Sequence, residues 1–165
     1  MIETALGTSI AFTAPHRLAT KAGFDILEGG GTAVEAMVAA AAQIAVVYPH
    51  MNSIGGDGFW LIKKRGQSPV AISACGSAAQ QATPEWYDKK GYKSSLPTRG
   101  PLAALTVPGT IAGWKLALEL DNPKRAIPLN ELLSAAIVRA KNGVAVTKNQ
   151  HETLAAKKHE LVSVS

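Results

Sequence analysis

The stretch 29-GGGTAVEAMVAAAAQIAVVYPHMNSIGGDGFWLI-62 decides the fold. Thr32-Ala33-Val34-Glu35 has the spacing of a capping box, in which the threonine hydroxyl accepts from the Glu35 amide while the Glu35 carboxylate reaches back to the Thr32 N–H. A helix is therefore predicted from Thr32 to Tyr48-Pro49. Its residues Ala39, Ala40, Ala41, Ala42 and Ala45 make it small and apolar nearly all round, so neighbours must approach on every side and the helix is central to a packed layer. Ahead of it, Gly29-Gly30-Gly31 supplies a left-handed stop for a first helix over 15–28, with an apolar stripe through Leu18, Ala19, Ala22, Ile26 and Leu27. Behind it, His50 to Gly58 is a glycine-rich turn into a strand, Phe59-Trp60-Leu61-Ile62, that ends at Lys63-Lys64-Arg65. Val70 to Ala74, reached through Gly66-Gln67-Ser68-Pro69, is predicted to pair with that strand as a hairpin.

Outward from this centre, Ser9 to Thr13 reads as a short strand before Ala14-Pro15 opens the first helix. Residues 73–81 are small and polar, and 82–101 read as a loop anchored by Trp86 and Tyr87. Pro108-Gly109-Thr110 opens a helix over Ile111 to Leu120, ended by Asn122-Pro123. Pro128-Leu129-Asn130 opens another, to about Lys141, closed by Asn142-Gly143, and Thr147 caps a last helix still running near Ser165. There is no internal repeat and no low-complexity linker.

Composition excludes several classes. With 47% apolar and 18% charged residues among 165, the chain has the makeup of a globular domain or part of one rather than a disordered segment. A single cysteine, Cys75, rules out an internal disulfide framework and a Cys-rich zinc site, and His16, His50, His151 and His159 lack ligand spacing, so no metal and no cofactor is expected. The longest apolar run, Ala36 to Tyr48, falls short of the roughly 18 residues of a membrane span. The net charge of +5 comes from small separated groups (Lys63-Lys64-Arg65, Lys89-Lys90, Lys157-Lys158) with only 5% aromatics, which argues against nucleic acid as a partner. No basic segment leads into an apolar stretch at the N-terminus, and with the lone thiol this predicts a cytoplasmic protein.

No assembled catalytic set can be named from residue order. The 55-GGDGF-59 cluster follows a helix and precedes a strand, the reverse of a phosphate-binding loop, so its glycines are read as serving backbone geometry and Asp57 as a turn former. Ser53, Ser73, Ser77 and Thr106 fall in loops or at strand ends, while His16 and His50 suit surface or capping positions. Cys75, with no flanking cation or histidine, is read as a small half-buried thiol rather than a nucleophile.

The order of motifs says more. PHRLATKAGFDILEGGGTAVEAMVAAAAQIAVVYPHMNSIGGDGFWLI, then VAIS, LTVPGTIAGW and PLNELLSAAIVRAKNGVAVT, resembles the N-terminal part of the γ-glutamyltranspeptidase family over roughly residues 7–150. The most specific pieces are GG-x-AV-x-A, PH-x-x-x-IGG-x-GF and PGT-x-AG. The resemblance implies an α+β fold, the αββα sandwich of N-terminal-nucleophile (Ntn) hydrolases, of which residues 1–165 supply helices and some strands of the large subunit. It also implies a precursor cut autocatalytically, with the new N-terminal threonine of the companion small subunit as nucleophile and its α-amine as base. On that basis no catalytic residue lies in this chain, and the assembly is a heterodimer, or a dimer of heterodimers, acting on a small-molecule amide.

One departure concerns substrate. In transpeptidases of the family the strand matching Val70 to Ser73 continues into an Asp-Phe-Arg-Glu segment whose arginine binds the substrate α-carboxylate. Here Ser73-Ala74-Cys75-Gly76 takes those positions and Cys75 replaces the arginine. Loss of a bidentate guanidinium removes a strong contact to a carboxylate. The resemblance thus points to hydrolysis of a small acid amide such as oxamate, with Cys75, Gly76 and Ser77 at the acyl pocket and Arg99 as an alternative cation. A true γ-glutamyltransferase or glutathione hydrolase is the alternative, and a non-catalytic scaffold of the same fold is a third.

Overall fold

The computed structural model describes residues 6–104, 106–121 and 123–162. They contain helices α1 (Arg17–Glu28), α2 (Ala33–Val47), α3 (Pro84–Lys89), α4 (Thr110–Asp121), α5 (Leu129–Leu132), α6 (Ser134–Asn142) and α7 (Lys148–Val162), and strands β1 (Gly58–Ile62) and β2 (Val70–Ala74). The chain divides into two compact units, one holding residues up to Ser53 and from Trp114 to Thr147, the other Ile54–Gly113 and the segment from Lys148 onward.

In the first unit α2 is the core. The capping box forms as the spacing requires: Glu35 N–H donates to Thr32 Oγ1 at 3.2 Å, and Thr32 N–H donates to Glu35 Oε2 at 2.8 Å. Burial covers Val34, Ala36, Val38, Ala39, Ala40, Ala42, Ile44 and Val47, so the helix packs around most of its circumference. Helix α1 lies against it, and α5 and α6 cover it further. Gly30, at φ +87°, is the left-handed residue that ends α1, a conformation costly for any residue with a Cβ. His16 caps the other end through Nδ1, which accepts from Leu18 N–H at 3.2 Å. Burial, and then the neighbouring Arg17, hold its pKa below the ordinary histidine value, in keeping with a neutral acceptor ring.

Several expectations need correction. Ser9 to Thr13 is not a strand: it is irregular and has no ladder partner among the described residues, and Phe12 instead lays its ring against the Gly23 backbone of α1. The predicted single helix over 130–141 is two, α5 and α6, separated at Leu133, whose ψ of −6° opens the turn. Residues 82–101 are not all loop, because Trp86 and Tyr87 ride on α3. Thr83 caps that helix through Oγ1, accepting from Trp86 N–H at 3.2 Å, and Pro84 occupies its first turn. Tyr87 does anchor the segment, being buried with its hydroxyl donating to Leu102 O at 2.9 Å. The Asn122 stop and the end of α7 near Ser165 lie outside the described residues.

In the second unit β1 and β2 form the predicted antiparallel hairpin, in register from Gly58↔Ala74 to Ile62↔Val70. Ile72 and Ala74 are buried, whereas Phe59 and Leu61, on the other face, are 73% and 77% exposed. Among the described residues no helix is long and apolar enough to cross a membrane.

Candidate functional site

Strand β2 leaves the hairpin at buried Ala74 and enters the turn Cys75-Gly76-Ser77. Alternation along the strand puts Ser73 and Cys75 on one side, and their Oγ and Sγ atoms lie 3.6 Å apart. The Cys75 thiol is exposed rather than half-buried, since alternation places it with exposed Ser73 on the face opposite buried Ile72 and Ala74.

Three segments meet behind this turn. Val107 N–H donates to Ser77 O at 3.0 Å, and Ala78 bridges Thr106. At Gly76 a Cβ would stand 1.5 Å from Val107 O, so the two backbones touch and only glycine fits. One step on, a Cβ at Gly109 would meet Ala74 O at 2.1 Å. The glycine-rich turn before β1 joins the same cluster: the Gly56 carbonyl accepts from Gly109 N–H and Thr110 N–H, each at 3.0 Å, and from Thr110 Oγ1 at 2.7 Å. The GG-x-G and PGT motifs are thus halves of one backbone clamp behind the Cys75–Ser77 turn. Sequence reasoning assigned the glycines to backbone geometry and Thr110 to a helix start; the Thr110–Gly56 bond joins positions 54 apart in sequence, for which a single sequence holds no signal.

Other residues considered for chemistry are engaged elsewhere. Arg99 Nη1 donates to Glu160 Oε2 at 2.8 Å, and Lys157 Nζ to Glu160 Oε1 at 2.7 Å. These two bonds, Lys157 first and then Arg99, hold the Glu160 carboxyl below the usual carboxylate range. Tyr48 meets the His50 ring edge-on at 4.3 Å, and His151 and His159 lie exposed on α7. A cavity of about 370 Å³ beside α3, lined by Ala78, Pro84, Tyr87, Asp88, Tyr92 and Lys93 among others, contains no histidine or cysteine. No three His, Cys, Asp or Glu side chains among the described residues gather as a metal site requires.

Comparison with known proteins fits this picture. The family model for gamma-glutamyltranspeptidase matches residues 19–164. The chain is 51% identical over 150 residues to the oxamate amidohydrolase proenzyme of Klebsiella pneumoniae, covering 90% of this chain and 28% of that protein. It is 36% identical over 129 residues to the glutathione hydrolase proenzyme of Escherichia coli, covering 78% of this chain and 22% of that one. The crystal structure of Helicobacter pylori gamma-glutamyltranspeptidase superposes with a TM-score of 0.82 at 32% identity, over 100% of this chain and 46% of that one. The chain therefore spans only 28% and 22% of the length of these two curated relatives. Its helices and hairpin are a piece of the α+β Ntn-hydrolase architecture, and the chain belongs to the γ-glutamyltranspeptidase family.

Proposed function

We propose that residues 1–165 are the N-terminal part of the large subunit of an autoprocessed, cytoplasmic amide hydrolase acting on a small acid amide such as oxamate. The observation that carries the reading is the 51% identity with an oxamate amidohydrolase proenzyme over 90% of the chain. Both curated relatives are proenzymes, which supports a precursor that yields a companion subunit. The companion's N-terminal threonine attacks the amide carbonyl, its own α-amine taking the hydroxyl proton and passing it to the departing nitrogen. Water then hydrolyses the acyl-threonine. The task of this chain is binding: the Cys75–Ser77 turn lines the acyl pocket, and backbone amides at Gly76 and Ser77 receive the carboxylate that a guanidinium would otherwise hold. The exposed lone thiol of Cys75 supports the cytoplasmic location, where it stays reduced.

Intact-mass analysis of the full gene product, recovered from the cytoplasmic fraction, should give two pieces, the second beginning with threonine. An uncut, active protein would overturn autoprocessing, and recovery outside the cytoplasm would overturn the location. Substrate choice is tested separately by Cys75→Arg. A hydrogen bond to a charged group contributes about 1.5–3 kcal/mol, so restoring the guanidinium should shift the ratio of γ-glutamyl anilide to oxamate hydrolysis about 10- to 150-fold toward the anilide. Strong wild-type preference for the anilide would favour the γ-glutamyl reading that the E. coli relative represents. An unchanged ratio in the variant would remove residue 75 from the acyl pocket.

A further inference from the structure

We propose that Thr110 is a positioning residue for substrate, holding the Cys75–Ser77 turn through a chain of backbone contacts although its own side chain faces Gly56. The proposal rests on the reading that this turn lines the acyl pocket.

Thr110 is buried, 7% exposed, at the first position of α4. Its hydroxyl is the third donor on the Gly56 carbonyl, beside the amides of Gly109 and Thr110 itself. A carbonyl oxygen has two lone pairs. Removing the hydroxyl therefore leaves no orphaned acceptor, because the two amides remain, and the fold has little need of this bond. The hydroxyl adds direction instead. With it, the 54–58 turn is fixed against both the backbone and a side chain of residue 110, and the Thr110 Cα lies 3.6 Å from where a Gly58 Cβ would stand.

Displacement at residue 110 has nowhere to dissipate. Gly109 lies against the Ala74 carbonyl, and a Cβ at Gly109 would also come within 3.2 Å of Gly76 N. Gly76 in turn lies against Val107, whose N–H is bonded to Ser77 O. The path from Thr110 to the turn runs through backbone atoms of Gly109, Ala74, Gly76 and Val107, with no flexible side chain between them to absorb a shift. Close-packed interiors transmit small displacements, and misplacing a binding group by an ångström can cost about 100-fold in rate.

The test uses the full precursor product with Thr110→Val, which keeps the shape and removes the donor, and Thr110→Ser, which keeps the donor. Two readouts are taken: KM and kcat for oxamate, and the rate at which a thiol reagent modifies Cys75, followed by mass spectrometry on its peptide. Thr110→Val is expected to raise KM about 10-fold with kcat within about 2-fold, and to change the Cys75 labelling rate at least about 3-fold. Thr110→Ser should match wild type in both. Unchanged KM and labelling in Thr110→Val overturns the proposal, as does altered labelling with unchanged KM, which would mean a turn held in place but not used for substrate. Failure of Thr110→Ser to restore both, with the same loss of thermal stability in the two variants, reduces Thr110 to a structural residue and also overturns it. If the wild-type protein does not hydrolyse oxamate, the functional reading fails, while labelling still decides whether Thr110 holds the turn.

Discussion

Gly76→Ala in the full precursor is expected to lower the unfolding free energy by more than about 3 kcal/mol, or to prevent accumulation of soluble protein. The added Cβ would stand 1.5 Å from Val107 O, 2.5 Å from Val107 C and 3.0 Å from Val107 Cα. All three are backbone atoms, so no rotamer change relieves the overlap. Moving the 106–110 segment away would break the Val107–Ser77 bond and strain the bonds from Gly109 and Thr110 to Gly56. Gly56→Ala is the matched control. Its Cβ would meet nothing within 4 Å, and Gly56 does not use a left-handed φ, so its cost should stay within about 1 kcal/mol. Chemical denaturation of both variants checks the contrast. A Gly76→Ala midpoint equal to that of wild type would mean that the two segments separate freely and that the clamp does not exist in solution.

That contrast also marks where the sequence could be read and where it could not. The Thr32–Glu35 box, the triple-glycine stop, the small-residue helix and the hairpin are all local in sequence, and each forms where its residues predict. Helix α3 was equally local. Thr83, Pro84 and Glu85 are an N-cap, a first-turn proline and a first-turn acid, a start signal masked by the Lys and Gly residues that follow. Ser9 to Thr13 fails for a different reason, because a short apolar stretch carries no record of whether a neighbouring strand exists to pair with it. The clamp behind Cys75 depends on which glycines meet which backbones across the fold. Glycines 55, 56 and 58 draw the eye as a cluster, yet the approaches at Gly76 and Gly109 are far tighter than those at Gly56 and Gly58, and nothing local to either glycine names the backbone that it meets. The acyl-pocket assignment came from matching a family pattern, and what the structure adds is the reason that the turn can be held rigidly.

Glu35 carries the other large effect. Its side chain is 1% exposed at the third position of α2, and both carboxylate oxygens are used: Oε2 accepts from Thr32 N–H and Oε1 from Ile127 N–H, each at 2.8 Å. Thr32 Oγ1 in turn donates to Asp121 Oδ2. Asp121 ends α4 and Ile127 precedes α5, so both ends of the connection between those helices are hooked to the start of α2. A buried carboxylate is tolerated only when such bonds replace its lost hydration, and the partial positive charge at the helix N-terminus favours it further. Two hydrogen bonds to a charged group at about 1.5–3 kcal/mol each set an upper range, which the half-exposed Thr32 and Ile127 donors reduce. Glu35→Ala should therefore cost about 2–4 kcal/mol. Glu35→Gln keeps one acceptor and turns an NH₂ toward the other donor, so it should recover only part of the loss. Thr32→Ala should cost about 1 kcal/mol by itself but less on top of Glu35→Ala, because the two residues serve one reciprocal cap and their effects cannot add. Denaturation midpoints of the three single variants and the double variant measure this directly. A Glu35→Ala cost below about 1 kcal/mol, or strict additivity with Thr32→Ala, would place the carboxylate in water and detach the α4–α5 connection from α2.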